Sequence, residues 1–282
     1  SDSMWRDLLL AVVLILGMAW INIVGVLWGG RVQLATTAVK VLFLGLVAAL
    51  PWMFSLVVPD AVDLGNFQST APPREVGLAA QVGTVLLAVM WAYNGWHGVT
   101  PLTEELHHPQ RNIPLALFGG IGILIFLYVA ANFAYHSVLS MREMQESGDH
   151  AAERMLLKLV GPAGQSAMSL VIMCSTFGAI NTNLLQSPRI TFAMGRDGAF
   201  FRDLGRVHAT YRTPAVAIFC TSLMSSLLVA AVVVAKLAFR DFAASRAPGE
   251  LLRRIVESLH GDSMFELLTN FVIFSASIFY ML

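Results

Sequence analysis

Residues 90–114 read MWAYNGWHGVTPLTEELHHPQRNIP, and they interrupt what would otherwise be a membrane helix. The run before them, 85–90, is entirely apolar, whereas 91–98 contains two glycines and the polar residues Asn94 and His97. Each glycine destabilises a helix interior by about 1 kcal/mol relative to alanine, and hydrocarbon cannot satisfy the polar side chains. The sequence therefore predicts a helix that breaks between 91 and 98.

An interruption at membrane depth is tolerated only where protein or a wet cavity surrounds it. Broken helices of this kind form the substrate sites of secondary transporters near the bilayer midplane, because the freed backbone groups can face a solute. The break therefore indicates a transport site as the first hypothesis for function.

The composition is that of an integral membrane protein. Of its 282 residues, 56% are hydrophobic and 13% are charged, and the mean hydropathy is +0.68; soluble domains carry about a quarter charged residues. Basic and acidic residues balance at 18 each, so the net charge does not point to nucleic acid. Cys174 and Cys220 lie in apolar runs and are expected to be core residues, so no disulfide-linked partner is evident.

A membrane-spanning helix needs about 20 largely apolar residues, and about seven runs meet that length. The expected fold is therefore an all-α, multi-pass membrane protein with one transmembrane domain over 1–282. No catalytic residue, cofactor or metal is expected. The expected helices, with the third broken near 91–98 and a turn at 28–31 between the first two, cover 8–27, 34–57, 76–102, 114–138, 164–188, 214–237 and 264–282.

The short connections carry seven arginines and few acids, whereas the longer connections carry at least as many basic residues but offset them with acids. Because long loops cross the membrane largely regardless of charge, the arginine-rich 189–212 loop is placed on the inner side of the membrane. Ser1 is not an initiator methionine and Leu282 lies within an apolar run, so both ends are expected to be internal to a longer protein. The arginines in question are Arg31, Arg111, Arg189, Arg196, Arg202, Arg206 and Arg212.

Three stretches resemble one family of membrane transporters in order and spacing. They are Trp91-Ala92-Tyr93-Asn94-Gly95-Trp96 with the following Thr103-Glu104-Glu105, Pro109, Arg111-Asn112 and Pro114; Ser175 to Asn181 with Arg189 and Gly195-Arg196-Asp197-Gly198; and Arg31-Val32-Gln33 through Lys40. The family is the amino acid–polyamine–organocation superfamily, and the chain is most similar to its L-type amino acid permeases. The resemblance covers essentially the whole chain.

The resemblance implies a leucine-transporter-like fold of about twelve helices, in which two inverted repeats of five helices enclose the site. This chain then corresponds to helices four to ten, with 76–102 as the broken sixth helix. The missing helices of the same protein become its partners. The connection 236–263 is longer than is usual in the family.

The resemblance also implies the substrate site, in which backbone groups of the broken helix receive the substrate's α-amino group. Trp91 matches an aromatic gate, and Ala92 and Asn94 match positions whose carbonyls face the substrate. Alternatively, Trp91, Tyr93 and Trp96 form an interfacial aromatic belt, but Trp91 lies well inside its run, which favours the gate. The implied substrate-binding residues are Trp91, Ala92, Tyr93, Asn94, Gly95, Trp96 and His97, with Asn270 from the last helix. His97 is equally well explained as a core histidine.

Lys40 lies among apolar residues, about 10 Å into its helix at 1.5 Å per residue. In related sodium-independent permeases a lysine at the matching position occupies the place where sodium-coupled relatives hold a cation. Lys40 is therefore interpreted as a residue for proton coupling, and its charge argues against sodium. The alternative is a lysine that snorkels to the membrane surface.

A cluster of acids and histidines follows the break at Glu104, Glu105, His107 and His108, and could suggest a metal site. Because it lies at a helix end in water, we expect a solvated turn in which Glu104 or Glu105 pairs with Arg111. Arg189, Arg196 and Asp197 are expected to make loop and inner-gate contacts.

The hypothesis that follows is a secondary active transporter of amino acids, working by alternating access in the plasma (inner) membrane. It is expected to be sodium-independent and to act as an antiporter or a proton symporter. Its expected partners are a small-molecule amino acid and the lipid bilayer. The alternative is a sensor built on a permease fold that does not transport, and a membrane-embedded hydrolase is a more distant one.

Overall fold

The computed structural model describes residues 2–68 and 77–239, with 253 and 257, and all regular structure in that part of the chain is helical. Five of the helices described are long and apolar enough to cross a membrane. The helices are α1 (Asp2–Val24), α2 (Val26–Ser55), α3 (Leu78–Ala92), α4 (Pro109–Val138), α5 (Met141–Ser147), α6 (Ala151–Val160), α7 (Pro162–Arg196) and α8 (Ala215–Ala238). A 3-10 segment (Trp96–Glu105) follows α3. Shorter 3-10 turns lie at Pro59–Ala61, Leu64–Gln68, Gly148–His150 and Arg202–Gly205.

These helices confirm the expectation of an all-α, multi-pass membrane protein with a broken helix. The expected seventh helix, 264–282, and Asn270 within it lie outside the described residues. In the bundle α2 packs between α4 and α7, and α1 packs against α8.

The turn between the first two helices lies at Gly25, so the expected turn at 28–31 is wrong. Gly29 is instead buried inside α2, where a Cβ atom would collide with the Asn22 side chain of α1 and lie 3.2 Å from Leu185 Cδ2 of α7. Asn181 Nδ2 donates to the Gly29 carbonyl at 2.9 Å, and Asn22 Nδ2 donates to Asn181 Oδ1 at 2.9 Å. Gly29 therefore serves the close approach of α2 to α7 rather than a turn.

Helix α7 continues through Pro188 to Arg196, beyond the expected end at 188. Proline lacks an N–H group, so the carbonyl four residues earlier, that of Leu184, loses its helical donor. The Arg189 side chain compensates, because its Nη1 donates to the Leu184 oxygen at 3.4 Å. The helix can therefore pass the proline without a buried carbonyl lacking a donor.

Helices α5 and α6 lie at the end of the bundle where α4 ends and α7 begins. A capping box starts α5: the Ser140 hydroxyl accepts from the Glu143 N–H, and the Glu143 carboxylate accepts from the Ser140 N–H at 2.8 Å. The amphipathic α6 buries Met155 and Leu156 in the core formed with α2 and α4. Lys158 fixes this arrangement by donating to the Val138 carbonyl at 2.9 Å.

Candidate functional site

The break that the sequence predicts falls at the end of α3. The last helical residue is Ala92, a turn follows, and Gly95 takes the left-handed conformation with φ 103°. The Asn94 N–H bonds to the Trp91 carbonyl at 3.1 Å, three residues back, instead of continuing the α-helical pattern. The C-terminal end of α3 therefore points its carbonyls, the negative end of the helix dipole, into this turn.

Tyr128 of α4 contacts the residues at the break. Its hydroxyl donates to the Ala92 carbonyl at 3.2 Å, and its ring meets Tyr93 edge-on, with 5.5 Å between the centroids. Sequence reasoning missed Tyr128, since a single tyrosine 36 residues away in an apolar helix carries no local signal. The Ala92 oxygen, which was expected to face the substrate, keeps a second lone pair for another donor.

The other expected site residues are only partly gathered around the break. Trp91 and Trp96 are 40% and 57% exposed, and Asn94 is also exposed. His97 lies within the 3-10 segment. Gly98, by contrast, is buried, and a Cβ atom at this position would require the end of the Gln186 side chain of α7 to move. The structure therefore places the break against α7, while the two tryptophans remain partly exposed among the described residues.

Replacing Gly95 with alanine should lower the stability of the protein by about 1 kcal/mol or more, because an L-residue resists a positive φ. Gly83 is the matched control: it lies inside α3 with nothing within 4 Å of its Cβ position. Gly83→Ala should be neutral or stabilise by up to about 1 kcal/mol. Thermal unfolding of the two purified variants measures this difference. Equal unfolding midpoints would show that the positive φ at Gly95 does not require glycine.

Lys40 lies on the side of α2 that faces α7. A Cβ atom at Gly178 of α7 would be 3.0 Å from the Lys40 Nζ and 2.7 Å from the Thr36 hydroxyl, so only glycine leaves room there. Among the residues that the structure describes, none forms a hydrogen bond or ion pair with the Lys40 ammonium group. Lys40 also lines a cavity of about 340 Å³, whose wall includes Tyr128. Through Tyr128 the cavity adjoins the break.

The two glutamates after the break pair with α7 and not with Arg111, which corrects the expectation. Glu104 accepts two bonds from Arg196, at 2.9 and 3.1 Å, and Glu105 accepts from Arg189 Nε at 3.0 Å. Because the two arginines are seven residues apart on α7, they lie on one face of that helix. The pairs, here named the glutamate clasp, tie the 3-10 segment to the end of α7.

The two ion pairs of the glutamate clasp should contribute unequally to the stability of the protein. The Arg189 side chain is only 5% exposed, so Glu105→Gln leaves a buried charge without its acid and should destabilise the protein by about 2 kcal/mol. Glu104 and Arg196 are 69% and 49% exposed, so Glu104→Gln should have a much smaller effect. Thermal unfolding of both variants tests this order, and a larger loss with Glu104→Gln would contradict it.

The stabilising contribution of Glu104 also depends on pH. The hydrogen bonds from Arg196 hold the pKa of the Glu104 carboxyl below its usual value. A carboxyl of this kind contributes stability that is fully present above its unfolded pKa, about 4.3, and is lost as the pH falls through the lower folded pKa. The small difference between Glu104→Gln and the unchanged protein should therefore be constant from pH 6 to 8 and should shrink below pH 4.

Comparison with known proteins identifies the family of the chain. A family model described as amino acid permease matches residues 1–282. The serine/threonine exchanger SteT of Bacillus subtilis is 31% identical over 217 residues, which cover 74% of this chain and 46% of that protein. The large neutral amino acids transporter small subunit 2 of Homo sapiens is 33% identical over 227 residues, or 78% of this chain and 40% of the relative.

A third relative, the b(0,+)-type amino acid transporter 1 of Mus musculus, is 29% identical over 224 residues, or 78% of this chain and 44% of its own length. The chain thus spans less than half the length of these relatives. The match over the whole chain confirms the resemblance read from its motifs and makes the chain an integral, multi-pass membrane protein. The chain belongs to the amino acid permease family.

Proposed function

We propose that the protein is a secondary active transporter of amino acids whose substrate binds at the break after α3. The observation that carries the proposal is the turn at residues 93–95, where α3 ends and the chain resumes as a 3-10 segment. The last carbonyls of a helix that ends inside a transporter lack intrahelical donors, and a solute can use them. Membership of the permease family gives the same function class.

The chemistry of the break suits a substrate ammonium group. The C-terminal end of α3 carries the negative end of the helix dipole, which favours a cation. The Ala92 carbonyl, held in place by Tyr128, offers its remaining lone pair. Trp91 supplies an aromatic face that attracts an ammonium group within about 6 Å and serves as the gate. The α-amino group of an amino acid satisfies all three.

We assign ion coupling to Lys40, which makes the transport independent of sodium. Its ammonium group lies between α2 and α7 against Gly178, where a bound metal cation would be repelled. Coupling then uses a proton, or the protein exchanges one amino acid for another. Tyr128 lines the cavity beside Lys40 and also binds the Ala92 carbonyl at the break, so it connects the two places.

Alternating access requires the segment after the break to move relative to α7. The glutamate clasp holds this segment in the present arrangement. We propose that the clasp opens when the site opens toward the side of the membrane where α7 ends, and that the left-handed Gly95 absorbs the change of direction.

Uptake by the full-length transporter reconstituted in liposomes tests the proposal. Labelled leucine, arginine and glutamate are offered with and without sodium, and with an outward amino acid load or a pH gradient as the driving force. Saturable uptake of one class without sodium is the expected result, and Trp91→Ala should reduce it. If the protein binds an amino acid specifically but no driving force produces uptake, the sensor is the correct function and the transporter is not.

A further inference from the structure

A second cavity, of about 860 Å³, opens where α7 ends and α8 begins. It lies beside the glutamate clasp, away from the break and from Lys40. Its charged lining residues are Arg189, Arg196, Arg212, Glu104, Glu105 and Asp197. We name it the arginine cavity.

The acids of the arginine cavity are already engaged. Glu104 binds Arg196, Glu105 binds Arg189, and Asp197 lies 3.8 Å from Arg196. Within the described part of the chain, the Arg212 side chain has no hydrogen bond or ion pair. The buried Nη2 atom of Arg189 also has no acceptor there. Two guanidinium groups therefore retain donors that the cavity's own acids do not use, and a buried donor of this kind calls for an explanation.

The backbone holds Arg212 at the cavity in a conformation that arginine disfavours. Its φ is 53°, in the left-handed region, which costs a residue with a Cβ atom about 1 kcal/mol or more. Its N–H bonds to the His208 carbonyl at 2.9 Å, and the next residue, Thr213, donates its hydroxyl to the Ile23 carbonyl of α1 at 2.8 Å. Strain that persists at a defined position points to a use for that side chain.

The arginine cavity lies where one helix long enough to cross a membrane ends and the next one begins. Helix α7 ends at Arg196, and α8 begins at Ala215. Between them Phe200 and Phe201 pack edge-on with 4.8 Å between their centroids and are 47% and 72% exposed. Exposed aromatic side chains at the end of a membrane helix favour the interface between headgroups and acyl chains.

We propose that the arginine cavity binds the phosphate group of an anionic phospholipid. Guanidinium groups bind phosphate oxygens through paired, charge-assisted hydrogen bonds. Arg212 supplies accessible donors, the buried Arg189 Nη2 supplies a further one, and Phe200 and Phe201 would contact the acyl chains. A zwitterionic lipid offers the same phosphate but brings a cation to a site with unpaired arginine, so the anionic lipid is preferred.

Native mass spectrometry of the full-length transporter, titrated with phosphatidylglycerol or with phosphatidylcholine, tests the proposal. Arg212→Gln is the test variant. Arg206→Gln is the matched control, because Arg206 belongs to the same loop but pairs with Asp203 at 3.0 Å and does not line the cavity. We expect Arg212→Gln to weaken phosphatidylglycerol binding about tenfold, the loss of one charge-assisted contact, and Arg206→Gln to leave it within about twofold.

Arg212→Gly separates binding from folding. Glycine accepts the positive φ, so this variant should be at least as stable as the unchanged protein and should still lose the lipid. Equal loss in the Arg206 and Arg212 variants, or none in either, would reduce the effect to diffuse attraction and overturn the site. Displacement of phosphatidylglycerol by millimolar inorganic phosphate would overturn the lipid as occupant and make the ligand a free phosphate.

Discussion

Alanine in place of Lys40 should reduce amino acid uptake by the full-length transporter about tenfold or more, in the range of a coupling free energy of 1–3 kcal/mol. Lys40 reaches across to Gly178 of α7, and no other lysine or arginine among the described residues lines its cavity. Removing the ammonium group therefore removes the positive charge that this part of the chain gives to the cavity wall. If the charge acts in coupling, the transport cycle loses the step that depends on it.

The pH profile of uptake separates coupling from packing. Lys40→Arg keeps a positive charge but cannot release a proton, since the guanidinium group stays protonated. Uptake by this variant should lose its dependence on pH between 5 and 8 if Lys40 carries the proton. Lys236→Ala, in the last turn of α8, is the control for removing a lysine from a membrane helix. Unchanged uptake by Lys40→Ala across this pH range would leave Lys40 as a snorkelling lysine.

Gly178→Ala provides an independent approach to the same group. The added methyl group would lie 3.0 Å from the Lys40 Nζ and 2.7 Å from the Thr36 hydroxyl. Both must shift, while the charge remains in the protein. If position matters as well as charge, uptake falls without any change in the number of ionisable groups.

The sequence was informative where the signal is local. Glycine and asparagine inside an apolar run conflict with a continuous membrane helix, and the structure ends α3 at Ala92 and turns at Gly95. The lengths of the apolar runs likewise predicted the membrane helices within a few residues at most ends. These features depend on residues close together in the chain, which is why one sequence was enough for them.

Contacts between distant parts of the chain could not be predicted in this way. Glu105 has Arg111 nearby in sequence, but it pairs with Arg189, 84 residues later, because α7 passes beside the 3-10 segment. Tyr128 reaches Ala92 for the same reason. Glycine was ambiguous: Gly29 was interpreted as part of a turn, yet in the structure it allows close packing against Asn22 and Leu185. Turn and contact glycines look alike until the partner helix is known.

Residues 1–282 expressed alone should transport no amino acid, the second large effect that we expect. The chain spans less than half the length of its relatives. Within α3 the large apolar side chains whose exposure the structure describes are all exposed: Leu78, Val82, Val85, Leu86, Val89, Met90 and Trp91. Asn94 at the break is exposed too. One side of the proposed site therefore has no cover from the described helices.

The substrate carboxylate also needs binding groups that the end of α3 does not provide. We expect helices outside this chain to supply the free N–H groups and the positive dipole end that a carboxylate requires. The end of α3 offers carbonyls, which attract the ammonium group but repel the carboxylate. Polar backbone groups left unmet in hydrocarbon also cost several kcal/mol each, so the isolated chain should fold poorly.

The measurement reconstitutes residues 1–282 and the full-length transporter in parallel liposomes and follows uptake of labelled leucine, arginine and glutamate. Coexpression of the remaining helices as a separate chain is the control for folding, and it should restore uptake if the two parts assemble. Saturable, substrate-specific uptake by residues 1–282 alone would mean that both charged ends of the substrate are bound within this chain. The site would then have to lie elsewhere than the uncovered break after Ala92.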